Sequence, residues 1–113
     1  MRWKFLWMVG LLLVFASIKG ISVICFTFWR SVEDQIKEFE AGRSRVRFGK
    51  HQMWLAMDFA LVDDLNEDLI VDRGEIRWKM DPRYQVLGLF WESIGGVWGG
   101  RWKDPVDIYH FEL

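Results

Sequence analysis

From Phe5 to Ile18 the chain is almost unbroken in apolar residues, with Arg2 and Lys4 ahead of the run. Lys19 and Gly20 interrupt it, and a second apolar run covers Ile21 to Trp29. The first run is shorter than the roughly twenty residues a spanning helix needs. A lysine in the middle of a longer span costs about 3 kcal/mol. One reading is a buried helix, a Lys19-Gly20 turn with Gly20 just past the helix end, and a buried strand rich in Ile and Val. The other takes residues 5–28 as a signal peptide or anchor.

Further along, periodicity predicts alternating elements. Ser31 opens a helix, with Ser31-x-x-Asp34 as a capping box carrying Asp for Glu. Val32, Ile36 and Phe39 share one face at helical spacing, and Gly42 stops the helix. Arg43 to Lys50 is a basic loop with four cationic side chains. Trp54 to Val62 reads as a strand: Leu55, Met57, Phe59 and Leu61 form a wholly apolar face towards helices, and Trp54, Ala56, Asp58, Ala60 and Val62 form the other. Asp63 to Asp68 reads as a solvated hairpin loop without the ligand spacing of a calcium loop, and a short strand is expected near Leu69 to Val71. Asp81-Pro82 begins the last helix. Tyr84, Leu87, Phe90, Trp91 and Ile94 give its core face, and Gly95-Gly96 stops it. Phe111 to Leu113 forms a closing strand. The expectation is an α+β fold, one domain over residues 1–113, with a small, mainly antiparallel sheet packed against about three helices.

Composition narrows the class. At 113 residues, 51% hydrophobic and 27% charged, the chain is globular rather than disordered. A formal charge of −1 lacks the electrostatic footprint of a nucleic-acid binder, and no nucleic-acid partner is expected. The single cysteine, Cys25, lies in an apolar run and reads as a buried inert thiol. Eight tryptophans fill core positions and leave some for an aromatic groove.

The candidate chemistry lies in two segments. His51 and His110 are the chain's two histidines, and each has an aspartate at a short offset, Asp58 and Asp107. Two imidazoles and a carboxylate are the usual minimum for an open zinc site, and a second carboxylate beside the water serves as general base. Asp58 is the one charge on its strand, and a buried carboxylate is costly unless paired or bound to metal. That pattern gives His51, Asp58 and His110 as metal ligands and Asp107 as base.

These segments resemble the zinc peptidases of bacterial cell-wall peptides, which include D-alanyl-D-alanine carboxypeptidases and the L-alanyl-D-glutamate peptidases of phage endolysins. His51, Ala56 and Asp58 match the family's Ser-x-His-x-x-Gly-x-Ala-x-Asp motif. Trp98-Gly99-Gly100-Arg101-Trp102-Lys103 and Asp107-Ile108-Tyr109-His110-Phe111-Glu112 match its last motif at all but one position. Arg30-Ser31-Val32-Glu33-Asp34-Gln35 and Gly42-Arg43-Ser44 echo two upstream elements, and Leu87 to Gly96 resembles the penultimate helix. Three departures stand out: Gly49 for Ser, Trp54 for Gly and Arg101 for Asp.

The resemblance favours the opening helix and strand over a leader, since the family's domain opens that way. It implies that Arg30 donates to the oxyanion formed at the scissile carbonyl, that Zn2+ is the cofactor, and that the substrate is a peptidoglycan stem peptide cut at L-Ala–D-Glu or D-Ala–D-Ala. Glu112 is expected to support His110 or the structure around it. A monomer is expected, in the cytoplasm of a phage-infected or prophage-carrying bacterium and acting on the wall. The alternative is a membrane-anchored or exported chain. Two rivals follow: a non-catalytic, membrane-anchored wall-binding protein, and a non-haem iron oxygenase. The oxygenase motif packs its first two ligands closer, and its barrel needs a longer chain.

Overall fold

A computed structural model describes every residue except Phe28, Arg45, Arg47, Phe48 and Asp104. The described residues form three α-helices and five short strands, in the order α1 (Arg2–Ile18), β1 (Val23–Thr27), α2 (Val32–Glu40), β2 (Ala56–Val62), β3 (Ile76–Arg77), α3 (Pro82–Ser93), β4 (Val97–Trp98) and β5 (His110–Glu112). The fold is α+β, with a five-stranded sheet whose pairings are all antiparallel.

β2 is the central strand and is buried along its whole length. β1 lines one edge of it. The other edge is shared, with β5 along Ala56–Asp58 and β3 along Leu61–Val62. β4 then pairs with β5 on the far side. The period-two alternation of β2 sends Met57, Phe59 and Leu61 into a core built with Phe5, Met8 and Leu12 of α1 and Tyr84, Leu87 and Trp91 of α3. Edge-to-face contacts of Trp91 with Phe5 and with Phe111 join the two helices to β5.

The first apolar run is therefore a helix packed on the sheet. Gly20 follows it at φ +69, a backbone conformation that favours glycine. Among the described residues, no helix is long and apolar enough to cross a membrane. α3 is capped by the Asp81 carboxylate, which accepts from Arg83 N–H, with Pro82 in its first turn. Gly88 of α3 gives room to the Trp98 ring: a Cβ there would lie 2.1 Å from it.

Two expectations are corrected. Leu69–Val71 is not a strand; the second partner of β2 forms later, at Ile76–Arg77. The carboxylates of Asp64 and Asp68 accept from the backbone N–H groups of Leu69 and Ile70, taking donors a ladder would need. The buried Glu75 accepts from Leu65 and Asp72 N–H and folds the acidic loop back on itself. In α2, Ser31 caps Asp34 N–H as expected, but Val32 and Phe39 are exposed, and the buried side chain is Gln35. Its amide has partners that an apolar side chain could not replace.

Candidate metal centre and catalytic cleft

The centre begins with the register of β2 and β5. Asp58 and His110 lie directly opposite each other on the two strands. Opposed residues on an antiparallel pair place their side chains on one face a few ångströms apart, and His110 Nδ1 lies 3.1 Å from Asp58 Oδ1. Neighbouring Phe111 turns into the core, so His110 takes the opposite face of the sheet with Asp58.

His51 reaches the same point through a turn. Trp54 N–H donates to His51 O and Leu55 N–H to Lys50 O, so residues 50–55 close as one helical turn. The reversal into β2 falls on Trp54, at φ +57. His51 Nε2 then lies 3.5 Å from the other Asp58 oxygen, and its ring meets the His110 ring edge to face. All three residues are buried, and one ligand atom from each lies within 4.8 Å of the others.

This set fits a metal. Bonds of about 2.0–2.1 Å to a tetrahedral ion put ligand atoms roughly 3.3–3.4 Å apart, near the 3.1 Å of His110 Nδ1 from Asp58 Oδ1 and the 3.5 Å of His51 Nε2 from Oδ2. The tautomer logic also fits. The far nitrogen of a metal-bound imidazole is usually held by a carboxylate, and His110 Nε2 lies 2.9 Å from Glu112 Oε1. Without metal the same groups form a charged chain. Burial pushes Asp58 up, but the hydrogen bonds to His110 and His51 outweigh it and hold the carboxyl at about 2. Burial pushes His110 down, and its bonds to Asp58 and Glu112 outweigh that and raise it to about 9.

Asp107 stands beside these three. Its carboxyl is raised, first by burial and then by the charge of Asp58. Gly99 makes that position possible: a Cβ on it would lie 2.5 Å from Asp107 O. Gly99 O also accepts from Asp107 N–H at 3.0 Å. Arg30, Asp107 and the three ligand-type residues all line one cleft of about 410 Å³, together with Trp102. The five site residues named from sequence are thus brought to one place.

Sequence reasoning passed over the device that holds this cleft. Gln35, 2% exposed, accepts from Arg30 Nη1 at 2.8 Å and donates to Ser44 Oγ at 2.8 Å and Val46 O at 2.7 Å. Gln52 donates to Gln35 Oε1 and to Arg30 O and accepts from Gly49 N–H. The two amides tie Arg30 to the loop carrying His51. Gln35 was visible as the last residue of the Arg-Ser-x-Glu-x-Gln echo; Gln52 carried no signal. Arg45 and Arg47 of the basic loop lie outside the described residues.

Residues 42–113 match the model of a family described as D-alanyl-D-alanine carboxypeptidase. The chain belongs to this peptidase family. A solved structure with the same fold is the L-Ala D-Glu endopeptidase ChiX of Serratia marcescens, at 22% identity and a TM-score of 0.61, over 82% of this chain and 67% of that one. No curated protein sequence matches.

The three departures from the family's motifs have local explanations. Gly49 sits against Val46, where a Cβ would be 3.0 Å from Cγ2, so serine would press on that side chain. Arg101 pairs with both oxygens of Glu92 on the exposed side of α3 and is not part of the cleft lining. Trp54 places a bulky residue in the left-handed conformation, where a glycine would sit without strain.

Proposed function

We propose that this chain is a zinc-dependent peptidase that cuts a peptidoglycan stem peptide, at the L-Ala–D-Glu bond in preference to D-Ala–D-Ala. The observation that carries this reading is the convergence of His51, Asp58 and His110 with Asp107 beside them in one cleft. The likeness of fold to the L-Ala D-Glu endopeptidase ChiX supports L-Ala–D-Glu, and the D-alanyl-D-alanine carboxypeptidase description of the matched family supports D-Ala–D-Ala as the second reading.

His51 Nε2, His110 Nδ1 and an Asp58 oxygen would hold the ion. A bound zinc supplies a Lewis acid and lowers the pKa of its water from 15.7 to about 7. Asp107 takes the proton from the attacking water and passes it to the leaving amine. Its burial raises its proton affinity, and the Tyr109 N–H, 3.3 Å from Oδ1, orients it. Arg30 donates to the developing oxyanion. Its planar, permanently charged guanidinium suits that task, and Gln35 fixes its aim. Arg43 and Lys50 also line the cleft, each paired with a carboxylate of the same lining, Glu38 and Glu112.

The test is hydrolysis of purified murein by the zinc-loaded chain, with products separated by mass. Asp107→Asn should keep stoichiometric zinc and lose about 10²–10⁴-fold in rate. His51→Ala should lose both zinc and activity. Full activity in Asp107→Asn would remove the base assignment. Murein binding without cleavage by the zinc-loaded native chain would favour the wall-binding rival.

A further inference from the structure

The outer face of α1 is apolar along its length except at Ser17. Phe5, Met8, Leu12 and Ala16 face the core. On the opposite side Trp3 is 74% exposed, Trp7 60%, Val14 57% and Ile18 78%, with Gly10 also exposed between them. A helix at the surface of a soluble domain normally turns polar residues outward, and one that is apolar all round is normally covered on all sides. α1 is covered on one side only.

The charges that α1 and the residue after it carry are of one sign. At 3.6 residues per turn, Lys4 lies roughly a quarter-turn to one side of the stripe's centre and Arg2, whose Nε donates to Met53 O, roughly a third of a turn to the other, and Lys19 follows the helix end. The first acidic residue of the chain is Glu33. Arg2, Lys4, Lys19 and Arg30 precede it, so the remainder is net negative, given −1 overall. We propose that the outer face of α1 docks the folded domain on an anionic lipid surface, lying in the headgroup region without crossing.

The occupant follows from charge and side-chain type. A second copy of α1, packed parallel or antiparallel, brings more cations and no carboxylate to meet them. Anionic headgroups supply the missing charge. Tryptophan is the residue favoured where an apolar layer meets water, and Trp3 and Trp7 stand one turn apart on the exposed stripe. Cationic shoulders with an aromatic and aliphatic face are the make-up of helices that lie in the membrane plane. α1 packs on the Met57–Phe59–Leu61 face of β2, and Asp58 projects from the other. Docking through α1 therefore leaves the cleft turned away from the lipid.

Flotation of the full chain tests this, with vesicles of phosphatidylcholine alone and of phosphatidylcholine mixed with phosphatidylglycerol. The chain should float with the mixed vesicles and far less with the neutral ones. A Trp3→Ser/Trp7→Ser variant should partition about a hundredfold more weakly while keeping its circular dichroism and its murein hydrolysis. Lys4→Gln should reduce the preference for the anionic vesicles, an effect that added salt reproduces. Three results would overturn the proposal: no flotation at low salt, flotation unchanged in the double variant, or a dimer in solution that the double variant dissolves while vesicles go unbound.

Discussion

Lys50 Nζ lies 2.9 Å from Glu112 Oε2, an ion pair that joins the turn carrying His51 to the strand carrying His110. The same lysine donates to Leu113 O, while the other Glu112 oxygen holds His110 Nε2. Burial pushes the Glu112 carboxyl up, but its bonds to His110 and Lys50 outweigh this and keep it below the usual range. Glu112 therefore stays ionised and fixes the ring so that Nδ1 faces Asp58.

Glu112→Gln should weaken zinc binding by about 10–100-fold, the usual cost of losing a carboxylate behind a metal-bound imidazole. Competition against a chromophoric chelator measures it. Unchanged affinity would show that the ring is held without this carboxylate.

Zinc binding should release protons and strengthen with pH. The metal requires a neutral imidazole, and His110 in the metal-free chain stays protonated up to about 9. Its raised value stabilises the metal-free fold fully below the unfolded imidazole value, about 6.5. That contribution is lost as pH rises through about 9. Asp58 acts in the opposite sense: its contribution is present above the unfolded carboxyl value of about 3.9 and is lost as pH falls through about 2. From this pair, the metal-free chain is most stable between about pH 4 and 6.5. The rise in melting temperature on adding zinc should grow from about pH 6.5 to about pH 9. A constant rise over that window would contradict the protonated His110.

Trp54 should reverse the usual order of alanine and glycine. At φ +57 a residue with a Cβ is strained by roughly 1–2 kcal/mol. Trp54→Gly should then be more stable than Trp54→Ala by about 1 kcal/mol, whereas glycine is ordinarily the weaker of the two. Urea unfolding of the two variants decides the sign.

Gly99→Ala should strike the site through Asp107. The added methyl meets Asp107 O at 2.5 Å and also crowds His110 Cβ at 3.1 Å. Overpacking of this kind costs about 1–3 kcal/mol, and the shift moves the base. Stability and kcat should both fall, the latter more than in a Gly74→Ala control, where a Cβ meets nothing within 4 Å. Equal rates in the two variants would separate Gly99 from the catalytic geometry.

Local patterns carried much of this protein. The alternation of Trp54 to Val62 showed which face of β2 enters the core, and it isolated Asp58 as the charge needing a partner. Ser31, Asp81-Pro82 and Gly20 marked helix ends, because capping and φ preferences act within a few residues. The motifs named His51, His110, Asp107 and Arg30. What lay beyond reach was set by contacts distant in the chain. The pairing of Asp58 with His110 depends on the β2–β5 register, and that of Lys50 with Glu112 on a mid-chain turn meeting the C-terminal strand. Gln35 was legible only as the end of a motif echo; its burial depends on Arg30, Ser44, Val46 and Gln52 closing around it. The expected strand at Leu69–Val71 failed because side-chain carboxylates captured its N–H groups, a competition that hydrophobic pattern does not register. Spacing along the chain selects which face a residue occupies; which face it then meets depends on where the rest of the polymer packs.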